Sequence, residues 1–267
     1  MKISCVLFIL LIVVLAQAQN LVPNPSFEEI NVMPCQLYVG NEKKFKQIFN
    51  GIFQDWEIPT SGTIDPFSLL ADKDCVTYPS TDLFGAPPPK NGNNMVGIYN
   101  NVTEDFSYRE YIQVKLREKL SIGSNYLCGF YIARSTKFKY ATNNFGMAFS
   151  EEKISSDSTT VLALVPQVNS PNVMESPSWV LCINNFESTQ QSEYLTIGNF
   201  YSNKETKIKP ETAVKEAAYY FIDSVFVEAI NDLVIPDVIT PNGDCCNEKF
   251  EIENLQFDRW TLKVLNR

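Results

Sequence analysis

Carboxylates and aromatic rings are the groups through which this chain could do chemistry. Asp65 stands in the turn-rich stretch TSGTIDPF, and Glu110 opens the strand-like run REYIQVKL. Two carboxyl groups flanking a sugar linkage are the minimum equipment for glycoside hydrolysis. Sequence spacing sets no distance between these two. The plainer reading is a solvated loop Asp65 and a strand-face Glu110 beside Arg109. Trp56, Tyr99, Tyr108 and Tyr111 lie in or beside segments rich in Asn, Asp and Gln. Rings in such company can stack on sugar faces while polar neighbours take hydroxyls, although packing is the alternative for each ring. Trp56, Asp65, Tyr99 and Tyr108 form the expected ligand-binding set, with Trp56 the leading contact. The chain has no histidine, which removes histidine metal sites and Ser-His-Asp triads. It also lacks a Gly-x-Ser-x-Gly elbow and a phosphate loop.

A second carboxylate pair, Glu28 and Asp223, sits in the segments that open and close the main body. The closing run AYYFIDSVFVE alternates, so Tyr219, Phe221, Asp223, Val225 and Val227 are expected on one face of a strand. A carboxylate on a buried face needs a cation, a basic side chain or a cluster of N–H groups. The opening run NLVPNPSFEEI, residues 20–30, is expected as an edge strand beside it. Two carboxylates brought together repel, and Ca²⁺ would resolve that repulsion. An Asp that caps a turn is the bland alternative.

Between these ends lie short strand patterns separated by Pro, Gly, Asn and Asp. Residues 94–99 read as a strand, and 109–116 as a half-exposed strand with Ile112, Val114 and Leu116 on one face. Residues 126–133 are apolar on both faces and belong inside a sheet. Residues 145–149, 161–165, 179–183 and 193–200 read as further strands, and 204–215 as a charged surface insert. About nine strands of this kind predict an all-β fold, an antiparallel β-sandwich.

The net charge of −9 argues against nucleic acid or an anionic membrane as partner. Residues 1–18 have the Lys2 start, the apolar run and the Ala16-Gln17-Ala18 ending of a secretory signal peptide. No later run reads as a transmembrane helix. An exported chain is expected to oxidise cysteines. Cys35 with Cys75 is the preferred pair, while Cys128 and Cys182 either pair across strands or act as small buried hydrophobes. A composition break near residues 231–236 separates a main body, 19–232, from a tail, 233–267. Asn242, Asp244 and Asn247 in that tail form an oxygen-rich turn, best read as an Asx turn.

Two resemblances follow from these stretches. NLVPNPSFEE and YYFIDSVFVE resemble the first and last strands of galactose-binding-like jelly rolls, a group that includes many carbohydrate-binding modules. The resemblance implies a structural Ca²⁺ held by Glu28 and Asp223. WEIPTSGTIDPF, GNNMVGIYN, REYIQVKLREKLSIGSNYLCGFYIA, YATNNFGMAFS and EYLTIGNF resemble an N-terminal module of exported Bacteroidetes proteins. VITPNGD, FEIENL and VLNR resemble the start of the gliding-motility-associated C-terminal domain, a type IX secretion sorting signal. It departs from that family where Cys245-Cys246 follow Asp244, and the family domain runs on for further strands. Together they imply a secreted, non-catalytic cell-surface module that binds a glycan or another surface polymer, with the secretion machinery as partner of the tail. A structural or adhesive spacer for protein contact is the alternative, and a glycosidase a more distant one.

Overall fold

The computed structural model describes residues 19–230 apart from 34, 36–45, 47, 80–82, 102–107 and 214. The expected signal peptide, the tail and its oxygen-rich turn at 242–247 lie outside the described residues. Among the described residues twelve strands occur in chain order. They are β1 (Trp56–Glu57), β2 (Asp65–Ser68), β3 (Asn94–Asn101), β4 (Tyr111–Lys115), β5 (Asn125–Arg134) and β6 (Tyr140–Thr142). β7 (Gly146–Ser150), β8 (Val168–Asn169), β9 (Val180–Glu187), β10 (Tyr194–Gly198), β11 (Ile208–Pro210) and β12 (Ala218–Ile230) follow. The first sheet runs β1-β4-β10-β7-β8 and the second β2-β3-β12-β5-β9, while β11 and β6 form a separate ribbon. All strand pairs are antiparallel. This is the expected all-β antiparallel sandwich, and residues 126–133 lie inside a sheet, between β12 and β9. No helix among the described residues is long and apolar enough to cross a membrane.

Alternation builds the core. Ile112, Val114, Leu195, Ile197, Met147 and Phe149 face inward from the first sheet. Val96, Ile98, Phe130, Ile132, Tyr220 and Ile222 meet them from the second. Removing this apolar surface from water is the main drive to fold. A second cluster sits on the outer face of the second sheet, where Phe67, Met95, Tyr219 and Phe221 are covered by Phe84 and Phe138. Cys35 and Cys75 are joined by a disulfide, which closes a loop and stabilises by about 2–4 kcal/mol. Cys128 and Cys182 are buried free thiols, so the small-hydrophobe alternative holds for them.

Several expectations need correction. The opening segment is no strand; it turns through residues 22–27. It nevertheless runs beside β12, with Leu21 N donating to Val227 O at 2.8 Å and Val225 N to Pro25 O at 2.8 Å. β12 does not keep one face throughout. Its register with β5 shifts between Asp223 and Phe226, and Ser224 takes a positive φ of 53°. This bulge inverts the alternation, so Tyr219 and Phe221 face the outer cluster while Val225 and Val227 enter the inner core. β4 is not half-exposed: Tyr111 and Gln113 are fully buried. The expected strand at 161–165 is instead extended cover over that face. Leu162 N donates to the Tyr111 hydroxyl at 3.1 Å, and Gln113 exchanges bonds with both Ile154 N and Ile154 O. The surface insert 204–215 contains β11, paired with β6.

Candidate functional site

Asp65, Tyr99 and Tyr219 share the outer face of the second sheet because of register. Asp65 stands opposite Gly97 on β3, and Tyr99 stands opposite Tyr219 on β12. Gly97 is the position that makes the site. A Cβ there would overlap the Tyr219 hydroxyl, so only glycine lets this ring lie across β3. The ring then donates its hydroxyl to Asp65 Oδ2 at 2.7 Å.

Glu110 arrives from the other sheet, at the residue before β4. β2 reaches β3 only as far as Gly97, which leaves Tyr99 N to find another acceptor. It donates to Glu110 Oε2 at 2.7 Å. Glu110 Oε1 accepts the Tyr108 hydroxyl at 2.7 Å, Thr63 N at 3.0 Å and Thr63 Oγ1 at 3.2 Å. Four neutral donors therefore surround one carboxylate. No cation pairs with Glu110 or Asp65 within ion-pair distance among the described residues. Lys215 contributes only at longer range and rests its ammonium over Phe84 and Phe138, 5.0 and 4.9 Å from the ring centroids.

Electrostatics follow from burial. Loss of hydration pushes the Asp65 carboxyl up to about 7, against the Tyr219 hydrogen bond and the Lys215 charge. Burial, and then the Asp65 charge, push Glu110 up to about 8, against its donors. Burial and the two carboxylates raise the Tyr219 hydroxyl well above its ordinary range. These groups interact as one set whose carboxyls burial holds up towards neutral pH. Above them, Tyr99 and Tyr108 are half-buried and meet edge to face, 6.3 Å between centroids at 81°. The result is a tyrosine corner backed by hydrogen-bonding carboxyls.

The expected site residues thus part company. Asp65, Tyr99 and Tyr108 converge; Trp56 does not join them. Its side chain is 1% exposed, tilts against Phe27 at 4.9 Å and donates Nε1 to Asn24 O at 2.8 Å. A ring with both faces and its N–H occupied offers nothing to a ligand, and the expected contact at Trp56 is corrected to core packing. The plain reading of Asp65 and Glu110 also fails, since neither is solvated. Arg109 does not pair with Glu110, because consecutive residues point to opposite sides. Its buried guanidinium donates to Asn101 Oδ1, Tyr108 O, Tyr201 O and Asn203 Oδ1, and burial pushes it down to about 10. Residue types alone do not single out Tyr219 or Thr63 for this site. Gly97 within the apolar run Met95–Tyr99 is the available signal, because a glycine inside a strand marks a close approach.

Glu28 and Asp223 both grip the loop before β3. Glu28 Oε1 accepts Asn93 N at 2.8 Å and Asn94 N at 2.9 Å. Asp223 Oδ2 accepts Asn91 N at 3.0 Å, and Oδ1 accepts Ser224 N at 2.5 Å. Gly92, at φ 65°, turns the loop so closely onto Glu28 that a Cβ would overlap its carboxylate. Burial pushes Asp223 up to about 7, against these N–H donors. Hard carboxylate oxygens suit Ca²⁺ in kind. Here, however, a cluster of backbone N–H groups faces them, and no three acidic or cysteine side chains gather into a cation site among the described residues.

No protein-family model and no curated protein matches the chain. Solved structures that it resembles include the xylan-binding domain CBM22-1 of Xyn10C from Paenibacillus barcinonensis. That match has 9% identity and a TM-score of 0.35 over 67% of this chain and 88% of that one. Another is the C-terminal family 22 carbohydrate-binding module of Clostridium thermocellum Xyn10B, at 10% identity and a TM-score of 0.37 over 70% and 93%. A third is the arabinose-bound α-L-arabinofuranosidase MgGH51, at 11% identity and a TM-score of 0.39 over 81% of this chain and 27% of that one.

Proposed function

We propose that the chain is an exported module that binds a carbohydrate, or another hydroxyl-rich surface polymer, without transforming it. The observation that carries this reading is the half-buried Tyr99–Tyr108 corner standing over the Glu110 and Asp65 carboxyls. Aromatic faces take the apolar side of a sugar ring, and the buried Glu110 carboxyl holds the Tyr108 hydroxyl and the Tyr99 backbone in place. The same geometry speaks against glycoside hydrolysis. Asp65 and Glu110 are 7% and 1% exposed, whereas a general acid and base must reach the reacting oxygen and water. Glycan-array screening followed by titration calorimetry tests the site. Tyr108→Ala is expected to weaken binding by about tenfold, and Tyr108→Phe by less because the ring remains. A protein that ignores every glycan but retains a protein partner would support the spacer alternative instead.

Export through a cleaved leader at residues 1–18, with the tail 233–267 read by the secretion machinery, belongs to the same proposal. Amino-terminal sequencing of secreted protein tests the cleavage near Ala18. A structural Ca²⁺ at Glu28 and Asp223 is a separate proposal with its own readout. If a cation adds to the N–H clamp, a chelator lowers the melting temperature and Glu28→Gln abolishes that response. If the N–H groups suffice, the chelator changes nothing, while Glu28→Gln still lowers the melting temperature by weakening bonds to Asn93 and Asn94.

A further inference from the structure

The sheet edges in this protein are not alike. β1 and β8, at the two ends of the first sheet, have two residues each. β2, at one end of the second sheet, has four residues and contains Pro66. Short strands and prolines keep an edge from recruiting a further strand. β9, at the other end, has neither protection. It runs for eight residues, VLCINNFE, without Lys, Arg, Pro or Gly. It pairs with β5 along its whole length without a register shift, so no bulge twists it away. Among the described residues no strand pairs with its other side. Leu181 and Ile183 on its outer face are 37% and 47% exposed.

We propose that β9 is an association edge at which two copies of this chain pair antiparallel, β9 against β9, to continue the second sheet across a two-fold axis. Self-pairing is favoured by charge. The one charged residue of β9 is Glu187, at its end. With the axis through Asn184, Glu187 of each copy comes opposite Leu181 of the other, on the same outer face. That end of the sheet carries Lys90, whose ammonium lies 4.4 Å from the centroid of Tyr131, and Tyr131 stands opposite Leu181. The arrangement puts an anion of each copy at the cationic end of the other and keeps the two glutamates apart. It also lays Leu181 and Ile183 of both copies on one face, where neighbouring apolar side chains cover one another. An isologous contact needs this self-complementarity and closes after two copies.

Sedimentation equilibrium of the full-length chain over a wide concentration range reads the result. A reversible monomer–dimer equilibrium is expected. Leu181→Lys combined with Ile183→Lys raises the dissociation constant by about tenfold or more, because lysine is what natural edges use to refuse a strand. Both positions are exposed, and a thermal melt checks that the fold survives. Glu187→Lys weakens the dimer on its own, and adding Lys90→Glu restores it; that second set decides the matter even if the double lysine variant misfolds. A wild-type chain that stays monomeric overturns the proposal and leaves the edge to some other extended polypeptide. A dimer indifferent to all four substitutions overturns it equally. The outcome does not depend on the carbohydrate site, which lies on other residues.

Discussion

A melt at about pH 9 is expected to fall several degrees below one at about pH 5, and Asp65→Asn is expected to remove much of that loss. The sign follows from the buried carboxyls. Asp65 and Asp223 are pushed up to about 7 and Glu110 to about 8, whereas the same groups in an unfolded chain titrate near 4. Between those values the unfolded chain has released protons that the folded chain keeps. Stability is therefore fully present below about pH 4 and is lost as pH rises towards about 8. The groups facing the pair are Tyr99, Tyr108 and Tyr219, which stay neutral throughout, and Lys215, whose charge offsets part of the repulsion. The carboxylates Glu193, Glu205 and Glu216 are lowered by their donors, so they act at more acid pH. A tenfold change in a group's proton affinity corresponds to about 1.4 kcal/mol, so the buried carboxyls can move stability by a few kcal/mol. Asp65→Asn keeps an acceptor for Tyr219 and deletes the charge that repels Glu110. Parallel pH profiles for the variant and the wild type would remove the coupled pair from the account.

Trp56→Ala is expected to destabilise the fold by about 3–5 kcal/mol, the range for deleting a large aromatic from a packed core. For a domain of this size that is a fall of about 10 °C in melting temperature. The ring packs on Phe27, which also meets Phe53 at 5.4 Å, so its loss opens a cavity beneath the whole opening segment. Losing its N–H also leaves Asn24 O without that donor. Chemical denaturation measures the loss. Binding measured at a temperature where the variant remains folded should match the wild type. A stable Trp56→Ala protein that fails to bind would return this ring to the ligand.

The sandwich was legible in the sequence because alternation is a local property. Ile112, Val114 and Leu116, or Trp179, Leu181 and Ile183, declare a strand without reference to anything distant. Which face is buried is a different matter. Tyr111 and Gln113 looked solvated because the segment that covers them begins some forty residues later. Leu181 and Ile183 share a face by alternation, yet nothing local says that this face is an exposed outer one. The closing strand misled for another reason. One positive-φ residue, Ser224, moves Val225 and Val227 to the opposite face from Tyr219 and Phe221, and a serine carries no mark of that role. The convergence of Asp65, Tyr99 and Tyr108 was visible only as residue types. What unites them is the empty Cβ position at Gly97 and the early end of β2, both matters of register. Trp56 shows the limit from the other side, since a tryptophan beside turn residues suits a binding loop and a core lid equally well.

The Cys35–Cys75 crosslink bears on how the molecule would survive a hydrolytic environment. A protease that cuts the backbone anywhere between those two residues yields two fragments that remain covalently one. The nicked species would run at its original mass on a non-reducing gel and fall into two bands once thiol is added. Outside the cell, such a cut would leave the tyrosine corner attached to the rest of the chain.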